Sequence, residues 1–243
     1  MGLLVIRKPR GPTSHEVVLR VREKLGIRRI GHGGTLDPMA EGLLIVLVGR
    51  ATKRQALVQR LRKTYEATIR LGEQTDTGDA EGRVIRRAAV PTLTREAVDV
   101  AVGSFVGPLE QVPPAFSAVK VHGRPLYWWT RHGRQPDVRL RRVEIFTSRL
   151  LAWDPATSEL SCRVTCSSGT YIRALAETLA HRLNTVGHVS ALNRIAVGAW
   201  TIERARSLDA IRTATGREVS AWIEPVRELE AAACQAFAPD NRN

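Results

Sequence analysis

The sequence predicts a mixed α/β fold built around one sheet. Two observations carry that prediction: apolar or alternating runs of strand length recur along the chain, and amphipathic stripes of helical period lie between them. Residues 2–6 form a short strand that stops at a proline and glycine turn, KPRGPTS. Thr13 and Glu16 have capping-box spacing, and Val17, Val18, Val21 and Leu25 make the apolar stripe of the helix that follows. After a GHGGTLDP loop, GLLIVLV (42–48) is short and continuous enough for a buried strand, and 51–62 reads as a basic helix. Tyr65, Ala67, Ile69 and Leu71 alternate with polar residues as on a half-buried strand. TDTGDAEG (75–82) is a polar turn, and 94–105 is a helix with a threonine cap. Residues 107–142 mix prolines, aromatics and cations, with a short helical pattern near 127–131, and read as an excursion from the core. Strand character resumes at 143–151 and 160–166, SSGTYIRALAETLAHRL gives a turn and a helix, and 188–200 is a further strand. No linker or repeat interrupts the chain, and 228–243 turns alanine-rich and then polar, the pattern of a fraying tail.

The 243 residues suffice for a sizeable core. Thirty-seven basic against 24 acidic residues give a net charge of +13, which signals a polyanionic partner, nucleic acid ahead of an anionic membrane surface. Thirty-two of the cations are arginine, suited to bidentate phosphate contacts and to stacking, although a codon bias toward arginine gives the same count. Three cysteines, Cys162, Cys166 and Cys234, are too few and too irregular for a disulfide framework or a tetrahedral zinc site, so a reduced, cytoplasmic setting is expected. The start, MGLLVIRKPRG, has no apolar signal region and no stretch reaches membrane-spanning length.

One carboxylate stands out. Asp37 lies between a glycine-rich turn and the apolar run, with His32 five residues earlier on the same loop. An Asp-Pro turn that caps a neighbouring element would account for it without chemistry; its place at the mouth of a buried strand raises a working carboxylate beside that reading. His32 lacks H-x-x-x-H, H-E-x-x-H or paired-cysteine company, so no metal is expected, and the glycines lack P-loop spacing. Tyr65 could stack on a nucleobase or serve the core. Arg173 falls in the first turns of a helix, where an anion is better placed, which points to a carboxylate partner nearby or to an ordinary surface arginine. Cys162 and Cys166 read as core.

In order along the chain, KPRGPTS, GHGGTLDPMAEGLL, GRATK, KTYEATIRLGEQTDTGDAEG, PPAFSAVKVHGRPLY, SSGTYIRALAETL and ALNRIAVGAW resemble the tRNA pseudouridine synthases of the TruB type, over roughly residues 4–200. The resemblance implies the pseudouridine synthase fold, a central mixed, mostly antiparallel sheet flanked by helices, in a catalytic domain over 1–227 with a thumb-like insertion at about 107–142. It implies isomerisation of uridine 55 in the tRNA T-loop without a cofactor. Asp37 matches the family's essential aspartate, a nucleophile or base. His32 would fill the space left by the flipped-out uridine, Tyr65 would stack on the uracil, and Arg173 would pair with Asp37 and keep it ionised. Asp79 matches a carboxylate that interacts with this arginine, and Lys8 and Leu192 fall on pocket positions. Glu41, Arg7 and Ser168 depart from the family's usual residues at positions that bear on substrate affinity. About forty residues follow Trp200, too few for a helix leading out of the core plus the small RNA-binding domain that many bacterial relatives carry, so no full C-terminal RNA-binding domain is expected: either the protein lacks it or the chain is a truncated form.

Three functions follow from these residues: a stand-alone tRNA uridine isomerase, an RNA-binding or tRNA-folding module with weak turnover, and a small-RNA-guided rRNA pseudouridine synthase. Asp37, Tyr65 and Arg173 together favour the enzyme, since binding alone needs only a basic surface. The compact insertion favours direct recognition of the tRNA T-arm by a monomer, with no membrane partner.

Overall fold

A computed structural model describes residues 1–134 and 136–227; the tail expected over 228–243 lies outside the described residues. The apolar runs become strands and the stripes become helices. β1 (Leu3–Lys8) leads to α1 (Ser14–Leu25), which starts with the expected capping box: Thr13 Oγ1 accepts from the Glu16 amide at 3.1 Å and the Glu16 carboxylate from the Thr13 amide at 2.6 Å. β2 (Ile30–His32), β3 (Glu41–Val48), a 3₁₀ segment (Gly49–Arg54) and α2 (Gln55–Arg60) follow. The helix expected over 51–62 is therefore mostly 3₁₀ in its first half. Next come β4 (Lys63–Leu71), β5 (Glu73–Thr75), β6 (Val84–Arg87), α3 (Arg95–Gly103), β7 (Gly107–Gln111), β8 (Lys120–Val121), β9 (Arg124–Pro125), α4 (Leu126–Arg131), β10 (Arg141–Asp154) and β11 (Glu159–Cys166). The described chain ends through α5 (Ile172–Arg182), β12 (Gly187–Val197), β13 (Trp200–Thr201), β14 (Arg206–Ser207), α6 (Leu208–Thr213) and α7 (Gly216–Ala221). No described helix is long and apolar enough to cross a membrane.

These elements form two compact units, one of Met1–Tyr65 with the described residues from Asn193 onward, the other of Glu66–Leu192. The division falls inside β4 and β12, so no linker marks it in the sequence.

In the first unit the strand order is β14-β1-β3-β12, with β2 on β3 and β13 on β12. β1, β2 and β3 pair antiparallel, whereas β14 on β1 and β12 on β3 are parallel. GLLIVLV is apolar throughout because both faces of β3 are covered. Leu43, Ile45 and Leu47 meet Val58, Leu61, Val197 and Trp200 on one side. Leu44, Val46 and Val48 meet Val17, Val18 and Val21 of α1 with Leu208, Ile211 and Val219 on the other. Burial of each such side chain contributes about 1.5–3 kcal/mol. The described residues after Trp200 fold back on this sheet. β14 pairs with β1, Leu3 and Glu224 exchange backbone hydrogen bonds of 2.8 Å, and the Trp200 indole donates to the Glu224 carboxylate at 2.8 Å. The strand expected over 188–200 is broken into β12 and β13 by Gly198, at φ +55°.

In the second unit the order is β12-β4-β11-β10-β7. β10 pairs antiparallel with both β11 and β7. Gly107–Gln111 thus belongs to the sheet, as does the chain from Arg141 onward, and the excursion from it is shorter at both ends than the sequence suggests. α3 packs on β10, where Ser148 donates to the Val102 carbonyl at 2.7 Å, and α5 buries Ile172, Leu175, Ala176, Leu179 and Ala180. Cys162 and Cys166 are buried in β11, as expected, and burial pushes the Cys162 thiol up to about 12.

Candidate active site

Asp37 sits half-buried on the 33–40 loop that joins β2 to β3. Five groups hold the backbone of that loop. Buried Ser14, the first residue of α1, accepts from the Leu36 amide at 2.8 Å and donates to the Leu36 carbonyl at 3.0 Å. The Nζ of Lys8, fully buried at the end of β1, donates to the carbonyls of Pro9, Pro38 and Ala40 at 2.9, 3.2 and 2.6 Å. The Gly11 amide adds a bond of 2.9 Å to Pro38, and the Ala40 amide closes a turn on the Asp37 carbonyl at 3.1 Å. From β12, buried Arg194 donates to the carbonyls of Leu43, Thr35 and Gly34 at 2.8, 3.3 and 3.2 Å. Asp37 is thus flanked on both sides by carbonyls that buried cations hold in place.

His32 is not on a loop, as expected, but on β2, opposite Val46 of β3. Its Nδ1 is buried with no hydrogen-bond partner among the described residues, and burial first, then the charge of Arg194, holds its pKa below the ordinary imidazole value. Tyr65, partly buried, is the third residue of β4. The start of that strand is set by Lys63, whose buried ammonium donates to the Gln59 carbonyl and to the Leu61 carbonyl at 2.7 Å, as a cation at a helix C-terminus does.

The remaining expected residues belong to the second unit. Arg173 is buried in the first turn of α5. The start of α5 is fixed by Gln111 of β7, which accepts from the Tyr171 amide at 3.0 Å and donates to its carbonyl at 3.2 Å. The Arg173 guanidinium donates to the carbonyls of Thr77 at 2.7 Å and Phe116 at 2.9 Å, and its Nε lies 3.7 Å from the Asp79 carboxylate. Asp79 is itself fixed: its Oδ1 accepts from the Thr77 hydroxyl at 2.6 Å and the Glu81 amide at 3.1 Å. The TDTGDAEG turn is bound to β12 through Val189, which exchanges bonds of 3.0 and 3.1 Å with Ala80 and Gly78. Leu192, buried, lies three residues further along β12. Glu177, one turn beyond Arg173, has its pKa pushed up by burial.

Of the departures from the resemblance, Arg7 and Ser168 are exposed and Glu41 opens β3 opposite Asn193. Off the sheet, α4 gathers aromatics and cations: Trp128 stacks on His132 at 4.0 Å, Arg124 lies 4.9 Å over Trp128 and Arg131 5.7 Å over Tyr127. No group of metal-ligating side chains occurs among the described residues. Sequence reasoning missed Ser14 and Arg194. The signal for Arg194 was a lone cation within the strand ALNRIAV, which a solvent-facing side chain explains equally well.

Comparison with known proteins agrees with this architecture. A relative from Thermobifida fusca, tRNA pseudouridine synthase B, is 43% identical over 95% of this chain and 82% of its own length. A protein of the same name from Mycobacterium tuberculosis is 46% identical over 86% of this chain and 70% of its own length. Among solved structures, a chain of a Cbf5-Nop10-Gar1 complex matches with a TM-score of 0.72 and 26% identity over 95% of this chain; the match spans 62% of that longer chain. Residues 22–172 match the family model of the TruB family pseudouridylate synthase N-terminal domain, and with these relatives the chain belongs to the TruB family of pseudouridylate synthases.

Proposed function

We propose that the protein isomerises uridine in tRNA to pseudouridine, at position 55 of the T-loop. Its relatives' shared name supports tRNA as substrate. The observation that carries the reading is Asp37 on a loop whose backbone is clamped by Lys8, Ser14 and Arg194. Pseudouridine formation breaks the bond between N1 of uracil and C1′ of the sugar, turns the base, and joins C5 to C1′; the C5 proton leaves and N1 gains one. A carboxylate held at close range can act in this sequence as nucleophile or base without a cofactor. The loop's fixed backbone supplies the required placement.

A uridine stacked within folded RNA is out of reach, so the substrate nucleotide is flipped out. His32 takes the space it leaves, and Tyr65 stacks on the uracil. Arg173 is the cation that serves the carboxylate chemistry, while Lys8, Asp79 and Leu192 shape the pocket. The cations and aromatics around α4 fit a surface that closes on the T-arm. The enzyme acts as a cytoplasmic monomer.

The test is tritium release from tRNA transcript labelled at uridine C5, under single-turnover conditions. The unaltered protein is expected to release tritium and Asp37→Asn to release none, with tRNA affinity within about tenfold. Equal release from both removes Asp37 from the reaction. No release from either, despite tight binding, supports the binding module. Full release from a transcript with cytidine at position 55 moves the target elsewhere.

A further inference from the structure

We propose that Arg194 is a positioning residue for Asp37: its guanidinium sets the path of the 33–40 loop, and thereby the rate of the chemical step. This rests on the reading of Asp37 as the reacting carboxylate. Arg194 is 2% exposed. A buried cation is costly unless its surroundings compensate the charge, and here no carboxylate forms an ion pair with it among the described residues. Three carbonyl oxygens compensate it instead, of Gly34 and Thr35 on the loop and of Leu43 on β3.

That arrangement does what an apolar residue of similar volume could not. The planar fork links the N-terminal half of the loop to the strand that follows it, at angles set by one rigid group. The backbone of β12 is itself pressed against β3 at Gly42, where φ is +113° and a Cβ would fall on the Arg194 carbonyl. The Arg194 side chain therefore starts from a fixed point. Ser14 holds Leu36, and Lys8 holds Pro38 and Ala40, so the carbonyls on either side of Asp37 are restrained from three separate elements, α1, β1 and β12. Lysine at position 194 would keep the charge but, as a point donor, could not span the same three oxygens.

The experiment compares Arg194→Lys and Ser14→Ala with the unaltered protein and with Asp37→Asn. It reads single-turnover tritium release, tRNA affinity, melting temperature, and hydrogen exchange of the Leu36 and Ala40 amides. Arg194→Lys is expected to slow release by about tenfold to hundredfold, the scale of a small misplacement of a reacting group, with affinity within about twofold. Exchange at Leu36 and Ala40 should quicken while the β3 amides stay protected. Ser14→Ala, which loosens the same loop from α1, should show the same separation of rate from affinity. An unchanged rate in both variants, with Asp37→Asn inactive, overturns the positioning role and leaves the reaction assignment standing. Rate losses that follow the fraction of unfolded protein overturn it as well. Activity retained by Asp37→Asn overturns the assignment on which it rests.

Discussion

His32 is the residue whose surroundings make a prediction that RNA is not needed to test. Its imidazole is held below its ordinary pKa by burial and by Arg194, so the unfolded chain binds a proton there more readily than the folded one. Stability from the neutral ring is complete above about pH 6.5, the unperturbed value, and is lost as pH falls through the lowered folded value. His32→Gln should therefore flatten the fall in melting temperature on the acid side of neutrality; an identical acid limb in the variant denies the effect. No local pattern signals this, because Arg194, 162 positions away in the chain, becomes its neighbour only in the fold. Arg173 was more legible. A cation in the first turns of a helix implies a local carboxylate, and Asp79 lies 3.7 Å from its Nε. Its bond to the Phe116 carbonyl, 57 positions away, had no sequence signal.

Among the elements, the pairing of β3 with β12 depends on one glycine. Gly42 has φ +113°, a region that strains L side chains, and an added Cβ would meet the Asn193 amide oxygen at 2.5 Å and the backbone of Arg194. Gly42→Ala should cost about 2–4 kcal/mol in urea denaturation, since strain and the parting of β12 from β3 act together. A midpoint unchanged from the unaltered protein would show that this contact yields freely. α1 was legible to its first residue, because a capping box is a local pattern with a local cause. The same signal, Thr215 with Glu218, opens α7, where Thr215 Oγ1 accepts from the Glu218 amide at 3.3 Å. It marks that start before the short helix offers any period to read. β7 escaped notice because Pro108 and a short alternation resemble a loop; its pairing with β10 at the sheet edge tolerates the proline.

At the scale of the whole molecule, the charge of +13 makes binding to a polyanion depend on salt. tRNA affinity is expected to fall by at least about tenfold between 50 and 200 mM salt, as counterions are released from neutralised phosphates. A flat salt profile would separate the charge from RNA recognition. The fold class, the order of the longer strands and helices, the caps of α1 and α3 and the family were legible in the sequence, the last through TruB-type motifs that run in order along most of the chain. Those features rest on hydrophobic period, on short-range hydrogen-bonding patterns and on residue identity, all readable in one dimension. The return of the described residues after Trp200 to β1, the division of the chain within two strands, and the convergence of Lys8, Ser14 and Arg194 on the backbone around Asp37 became visible in three dimensions alone. The physical reason is that each buried cation is satisfied by main-chain carbonyls, which every residue type carries, so nothing in the sequence distinguishes the partners until folding brings them within reach.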